Sequence, residues 1–320
     1  MNITILGGGS WGTALAMHLA GNKHQIRMWE FFEEQAREMQ EERTCKLLPI
    51  IKLSKNIFVT SKIEEALTNS ELILLVVPSD KVEATIEKAK KWIKDQPVII
   101  CSKGFATNVR LLSDVVSKIV SGPVYCLYGP THAEEVCKGI FSGIVLAGPE
   151  EKDEEKDKLK KIIESNNLRV ELSDDIIGVQ ISAALKNILA VFVGVTDGAG
   201  LGDNTKAYVI TKGLEEIKNV GLAWGAKEET FYGLAGIGDI IVTCTSVHSR
   251  NRHVGLEVGK GRKIQEVLRE MSMIAEGVIT LKEAVKLKDK FNLDLPLITA
   301  LNDVLFKNRS VKSILRSISC

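Results

Sequence analysis

The sequence predicts an α/β domain built on a doubly wound, mostly parallel sheet, followed by an all-α C-terminal domain. Three observations support this. Apolar runs of strand length alternate with helix-forming segments through the first half of the chain. A glycine-rich turn joins the first of these runs to the first helix. Beyond Asp174, strand-like runs nearly cease and the periodicity becomes helical. The implied division is residues 1–173 for a dinucleotide-binding domain and 174–320 for a helical domain that binds substrate and carries the chemistry, with the substrate in the cleft between them.

The first thirty residues are the most informative. Ile3–Leu6 reads as a strand buried on both faces, and Thr13–Leu19 continues as a helix. Between them Gly7, Gly9 and Gly12 have the G-x-G-x-x-G spacing. The first glycine allows the tight turn, the second lets the backbone approach a pyrophosphate, and the third lets helix and sheet pack closely. Unpaired amides at the helix start, with the positive end of its dipole, suit phosphate oxygens. Gln25–Trp29 is the second strand and ends on Glu30, about twenty residues on, where an acid accepts hydrogen bonds from an adenosine ribose. Strand, turn, helix, strand and terminal acid together define a Rossmann-type dinucleotide site, against the alternative of a glycine turn with no ligand.

Further along, a charged helix is expected over Glu33–Glu42, a strand at Ile57–Thr60 and an apolar strand at Leu72–Val77 stopped by Pro78. An amphipathic helix then runs from about Val82 to Lys94, followed by a strand at Val98–Cys101 that leads into Ser102-Lys103-Gly104. Val124–Tyr128 ends in Gly129-Pro130-Thr131-His132, Ile144–Ala147 precedes a helix over Glu150–Glu164, and Arg169–Leu172 closes the sheet. Gly7, Glu30, Pro78, Lys103 and Gly129 all fall at carboxyl ends of strands, where doubly wound sheets bind ligands. Helices are expected from Asp175 to about Val195 and from Thr205 to about Leu222, with Ser173, Asp174 and Asp175 as capping residues for the first.

With 42 Lys plus Arg against 41 Asp plus Glu, the net charge of +1 gives no general attraction to nucleic acid or anionic membrane. Six scattered cysteines without a C-x-x-C pair argue against a zinc site or disulfide framework and suit a reducing, cytoplasmic setting. The first strand begins at Ile3, which leaves no room for a signal peptide. Ile176–Val195 has the length of a membrane span but carries Gln180, Ser182, Lys186 and Asn187, so a buried core helix is the expectation.

Lys186 is the only ionisable side chain between Ile176 and Val195. Burial lowers a lysine's pKa and can make it a general base near neutrality; the alternative is a lysine snorkelling from a core helix. Lys103, at a strand end, can hold an anionic or carbonyl oxygen or can be an ordinary surface lysine. Asp239, after Gly233-Leu-Ala-Gly236-Ile-Gly238, can cap a helix or orient a catalytic lysine. Ser249-Arg250-Asn251-Arg252-His253 clusters guanidinium, hydroxyl and amide donors that match phosphate oxygens. Its alternative is a solvated basic loop.

Taken together, these motifs resemble the bacterial NAD(P)-dependent glycerol-3-phosphate dehydrogenase family over nearly the whole chain. The matching pieces are Gly7-Gly-Gly-Ser-Trp-Gly-Thr-Ala-Leu-Ala16, Val77-Pro-Ser79, Ser102-Lys-Gly104, Gly129-Pro-Thr-His-Ala-Glu134 and Leu185-Lys-Asn187. Gly236-Ile-Gly-Asp239, Thr243-Cys-Thr245, Ser249-Arg-Asn-Arg252 and Ala275-Glu-Gly277 follow in order. The resemblance implies that Lys186 is the proton acceptor and that Lys103 touches both substrate and cofactor. Gly129 and Thr131 match substrate-binding positions, and Ser10, Trp11, Ala133, Ile274 and Glu276 match cofactor-contacting ones, with Pro78 on the cofactor side. Asp239, Ser249, Arg250 and Asn251 match the substrate and phosphate end, Arg250 also reaching the cofactor, while Asn187 and Thr243 support the reacting groups.

Family members that accept NADP often place a basic residue where this chain has Glu30-Phe31-Phe32. A carboxylate there accepts the 2′-OH of NAD and repels a 2′-phosphate. NAD is therefore the favoured cofactor, with NADP possible if Arg37 or Arg43 neutralises the phosphate. The implied activity interconverts sn-glycerol 3-phosphate and dihydroxyacetone phosphate for phospholipid synthesis, in a homodimer acting on a small phosphorylated substrate, with no nucleic-acid or membrane partner. The competing readings are another two-domain dehydrogenase of the 3-hydroxyacyl or 6-phosphogluconate type, and a sensor that holds NAD without turning it over.

Overall fold

The structure, a computed structural model, describes residues 1–271, 275–307 and 309–310. It divides into two compact units: Met1–Ser102 with Arg110–Ile176, and Lys103–Val109 with the described residues from Ile177 onward.

The first unit is a single eight-stranded sheet of β1 (Asn2–Leu6), β2 (Gln25–Trp29), β3 (Ile57–Thr60), β4 (Leu72–Leu75), β5 (Val98–Ile100), β6 (Val124–Tyr128), β7 (Ser142–Ala147) and β8 (Leu168–Ser173). The spatial order is β3-β2-β1-β4-β5-β6-β7-β8, parallel throughout except between β6 and β7. The chain order reverses direction between β1 and β4, which pair with Ile3 opposite Leu72 and Ile5 opposite Leu74. That reversal is the switch point where such sheets open a crevice for ligands. Seven helices accompany the strands: α1 (Ser10–Gly21), α2 (Glu33–Glu42), α3 (Ile63–Leu67), α4 (Val82–Ala89), α5 (Leu112–Val116), α6 (Ala133–Val136) and α7 (Asp153–Ile163). Covered by helices, β1, β4, β5 and β6 are almost wholly apolar and buried, as a parallel sheet requires. The edge strand β8 instead alternates buried Leu168 and Val170 with exposed Arg169 and Glu171, charges that discourage edge pairing.

The second unit is helical: α8 (Ile176–Gly198), α9 (Gly202–Ala223), α10 (Asp239–Thr245), α11 (Arg250–Gly259), α12 (Ile264–Glu270), α13 (Glu276–Ala284), α14 (Leu287–Phe291) and α15 (Pro296–Phe306). Helix α8 is its core, buried on every side from Gly178 to Thr196. Among the described residues α8 alone is long and apolar enough to cross a membrane, and it is spent as an interior helix. Helix α11 lies against it backbone to backbone: a Cβ on Gly255 would sit 1.9 Å from the Val191 carbonyl oxygen, and one on Gly194 2.1 Å from that of Arg252. This close approach fixes the register in which α11 presents its first turn to α8.

Several elements differ from the sequence expectation. Strand β4 ends at Leu75 rather than Val77, because its partner β1 departs into the glycine turn after Leu6. Helix α4 stops at Ala89, the last buried position of its apolar face, and gives way to a 3-10 turn over Lys90–Trp92. The helix expected from Glu150 begins with a 3-10 turn, and the short helices α3, α5 and α6 carry too few residues for a periodicity to register. Asp174, expected as a cap, accepts the ammonium of Lys156, which is buried and needs a partner.

Candidate active site

In the first unit the chain leaves β1 at Gly7, whose φ of +125° favours glycine and where a Cβ would lie 2.8 Å from the carbonyl carbon of Val76. A Cβ on Gly12 would strike the Gly7 carbonyl oxygen at 2.0 Å, so the third glycine is what lets α1 pack on the turn. Above Gly9 a Cβ would meet nothing within 4 Å. No side chain caps α1, so the first-turn amides of Ser10, Trp11 and Gly12 remain available to an anion, and the buried indole Nε1 of Trp11 has no protein partner. Glu30 is 6% exposed at the end of β2 and accepts the Phe32 amide at 3.1 Å, with further bonds from Gly8 and Phe31. Burial raises its pKa against the pull of these amides. An open glycine turn, free helix amides and a buried acceptor at the strand end fit a dinucleotide. Pro78 precedes the 3-10 turn that follows β4. At the end of β6, Thr131 folds back with its amide 2.8 Å and its hydroxyl 3.2 Å from the Gly129 carbonyl oxygen, and buried Ala133 opens α6.

The second unit gathers residues that lie 136 positions apart in sequence. Lys186, in mid-α8, is 4% exposed, which removes the snorkelling alternative. Its Nζ donates to Asp239 Oδ1 at 2.5 Å and to Thr243 Oγ1 at 2.7 Å. Asp239 is 1% exposed and receives the Lys103 ammonium on its other oxygen at 3.1 Å. Thr243, one turn along α10, donates its hydroxyl to the Asp239 carbonyl oxygen at 2.6 Å, which leaves its lone pairs facing Lys186. Asp239 is therefore no simple helix cap; it is a shared counterion for two lysines. Burial lowers the Lys186 pKa to about 7, partly opposed by Asp239 and reinforced by the neighbouring charge of Lys103. A neutral amine with two hydrogens donated to Asp239 and Thr243 keeps one lone pair for a third direction, the geometry a general base needs.

The basic run is a helix start rather than a loop. Ser249 caps α11, accepting the Arg252 amide at 3.3 Å, and Arg250 follows as an exposed first-turn residue. Arg252 is held away from ligand duty by Asp197, with Nε at 2.9 Å and Nη2 at 2.6 Å. Asn251 Nδ2 donates to Asn187 Oδ1 at 3.0 Å, and Asn251 Oδ1 accepts the Gly277 amide at 2.9 Å. This chain of bonds fixes the orientation of both amides, with Asn187 accepting through its oxygen and keeping its NH2 group as a donor. Glu276 is the first residue of α13, next to Gly277; Ile274 lies outside the described residues. Asp197 was not among the residues singled out by the sequence, and Gly277 was marked only as part of the Ala275-Glu-Gly277 motif, with no role for its amide. Their contacts span 55 and 26 positions, too far apart for a local pattern to predict them.

A Rossmann-type sheet with a free pyrophosphate turn, joined to a helical unit with a desolvated lysine between an aspartate and a threonine, defines a nicotinamide-nucleotide-dependent oxidoreductase. Comparison with known proteins narrows this class. Residues 2–154 match the N-terminal and residues 175–316 the C-terminal model of NAD-dependent glycerol-3-phosphate dehydrogenase. The chain belongs to that family. A glycerol-3-phosphate dehydrogenase (NAD(P)+) of Fusobacterium nucleatum is 39% identical over 316 residues, covering 97% of this chain and 94% of its own. One of Bacillus thuringiensis is 40% identical over 323 residues, covering 99% and 94%. The crystal structure of glycerol-3-phosphate dehydrogenase from Coxiella burnetii superposes with a TM-score of 0.94 at 32% identity, over 99% of this chain and 98% of that one.

Proposed function

We propose that this protein interconverts sn-glycerol 3-phosphate and dihydroxyacetone phosphate with NAD(P), and that it favours NAD. The observation that carries the reading is the Lys186 amine, buried and held by Asp239 and Thr243 with Lys103 on the same carboxylate. The nicotinamide ring supplies the hydride acceptor for C2 of the alcohol. Neutral Lys186 takes the C2 hydroxyl proton as the C2–H bond gives up its electron pair, and in reduction the ammonium returns that proton to the developing alkoxide. Lys103 places a positive charge where the oxygen gains negative charge, while Asp239 keeps both lysines in place. Asn187 donates to the substrate oxygens. Arg250, beside the capped start of α11, suits the phosphate.

Gly7, Gly9, Ser10, Trp11 and Gly12 would hold the cofactor pyrophosphate, and Glu30 the adenosine ribose. Buried Glu30 opposes a 2′-phosphate and is the reason NAD is favoured. Gly129, Thr131, Pro78, Ala133 and Glu276 complete the binding residues. A cytoplasmic homodimer that supplies glycerol 3-phosphate for phospholipid synthesis is the setting this reading implies.

The test is the initial rate of NADH oxidation with dihydroxyacetone phosphate, repeated with NADPH. A fast NADH rate and a slow NADPH rate are expected; no rate with either, in protein that binds NADH, would overturn the assignment. Lys186→Ala should bind NADH normally and lose about 10²- to 10⁴-fold in turnover, the span of general acid–base catalysis. A sensor would show no turnover to lose.

A further inference from the structure

Lys103 is carried by the segment Lys103–Val109, which packs with the helical unit. Its backbone is unusual. Asn108 and Val109 have φ of +61° and +52°, and a β-branched residue in the left-handed region is a strained conformation that persists only where its surroundings impose it. Those surroundings are visible. The buried Val109 donates its amide to Glu283 Oε2 at 3.1 Å and accepts Lys290 Nζ on its carbonyl at 2.9 Å. The same ammonium lies 3.9 Å from the ring centroid of Trp224. Trp224 in turn stacks on Phe105 at 5.9 Å with the rings 8° from parallel. The segment is thus gripped at its end by Glu283 and Lys290, at its centre by Trp224, and at its start by Asp239 through Lys103.

We infer that Glu283, Lys290 and Trp224 are positioning residues that clamp the strained Lys103–Val109 segment and so hold the Lys103 ammonium at Asp239. The inference rests on the dehydrogenase reading above. The clamp offsets the backbone strain; without it the segment relaxes and Lys103 leaves the carboxylate. Among the described residues three titratable groups face Lys186: Asp239, Lys103 and the buried thiol of Cys244, whose pKa is pushed up to about 12 so that it stays neutral. Withdrawing Lys103 removes a positive neighbour, so the proton affinity of Lys186 should rise.

The experiment uses Lys290→Met, which removes the donor and the cation but keeps the aliphatic stem of an exposed side chain, and Lys290→Arg, which restores both. The readouts are kcat/KM for dihydroxyacetone phosphate, its pH profile, NADH affinity by fluorescence, and amide hydrogen exchange of the peptide spanning residues 103–109. Loss of the charge-assisted bond to Val109 and of the cation–π contacts with Trp224 and Phe291 should lower kcat/KM about tenfold. It should also move the pH inflection upward, speed exchange in the segment and change NADH affinity no more than Lys103→Met does, with recovery in Lys290→Arg. In a Lys103→Met background, Lys290→Met should cost nothing more. Unchanged exchange and kcat/KM in Lys290→Met, or the same fold loss with and without Lys103, would overturn the clamp. If Lys290→Met does not fold, Trp224→Leu against Trp224→Phe is read the same way. Hydrogen exchange needs no turnover, so failure of the wild type to reduce dihydroxyacetone phosphate would sink the dehydrogenase reading and still leave the clamp tested.

Discussion

Asp239→Asn isolates the electrostatics of the buried Lys186 amine. In the native site burial drives the Lys186 pKa down, Asp239 draws it back up, and Lys103 lowers it again, with the balance at about 7. The substitution keeps the shape and removes the negative charge that favours the ammonium. An opposite charge in direct contact is worth roughly one to three pKa units, or about 1.4–4 kcal/mol. Two unit charges at 4 Å and an effective dielectric near 20 give about 4 kcal/mol, and here the separation is 2.5 Å, so the upper half of that range applies. Lys186 in Asp239→Asn should therefore titrate two to three units lower, at roughly 4–5, because a buried amine sheds its proton rather than remain charged without a partner. The assay is kcat/KM for glycerol 3-phosphate oxidation across pH, which reports groups on the free enzyme and free substrate. The wild type should rise with unit slope to a plateau above about pH 7. The variant should reach a lower plateau, set by its weaker base, at a lower pH. The substrate phosphate also titrates near 6, but it is common to both proteins and cancels in the comparison. An inflection that stays at its wild-type position, or moves upward, would refute the assignment of Lys186 as the titrating base.

Glu30→Ala should tighten NADPH binding by about tenfold and weaken NADH, measured as Kd by fluorescence, because it removes a buried carboxylate that opposes the 2′-phosphate. Glu216, buried in α9, caps α15 through the amides of Leu297 at 2.5 Å and Ile298 at 3.2 Å, and burial raises its pKa to about 7. The native state holds this proton more tightly than the unfolded chain, so the stabilisation from proton binding is full below about 4.5 and is lost as pH rises through about 7. Thermal melts should show Glu216→Gln losing less Tm than the wild type between pH 5 and 8. Gly255→Ala should destabilise by about 1–3 kcal/mol in urea melts, since its Cβ would sit 1.9 Å from a backbone oxygen of α8. Gly21→Ala, with open space at its Cβ, should be near neutral.

Local chemistry wrote much of this protein into its sequence. Strands β2, β3 and β6 and helix α2 fall where apolar runs and charge patterning place them, and the glycine turn with Glu30 announces its ligand within thirty residues. These signals are legible because a strand, a turn or a cap is decided by neighbours in the chain. Lys186 stood out in the sequence as a lone charge in an apolar helix, but whether it was a base or a snorkelling side chain was open. Its burial removes the snorkelling reading, and its partners Asp239 and Thr243 arrive from 53 and 57 positions away. Lys103 read more readily as an ordinary surface lysine, and the structure instead packs its segment with the helical unit, where it meets Asp239. The hydrogen bonds that join Asn187, Asn251 and Gly277, and the close seating of α11 on α8, connect segments far apart in sequence and are not written in any one of them. Sequence alone determined the fold class, the dinucleotide turn and the candidate residues. Tertiary structure decided the surroundings of Lys186 and Lys103, because desolvation and charge pairing depend on which distant side chains share a buried volume.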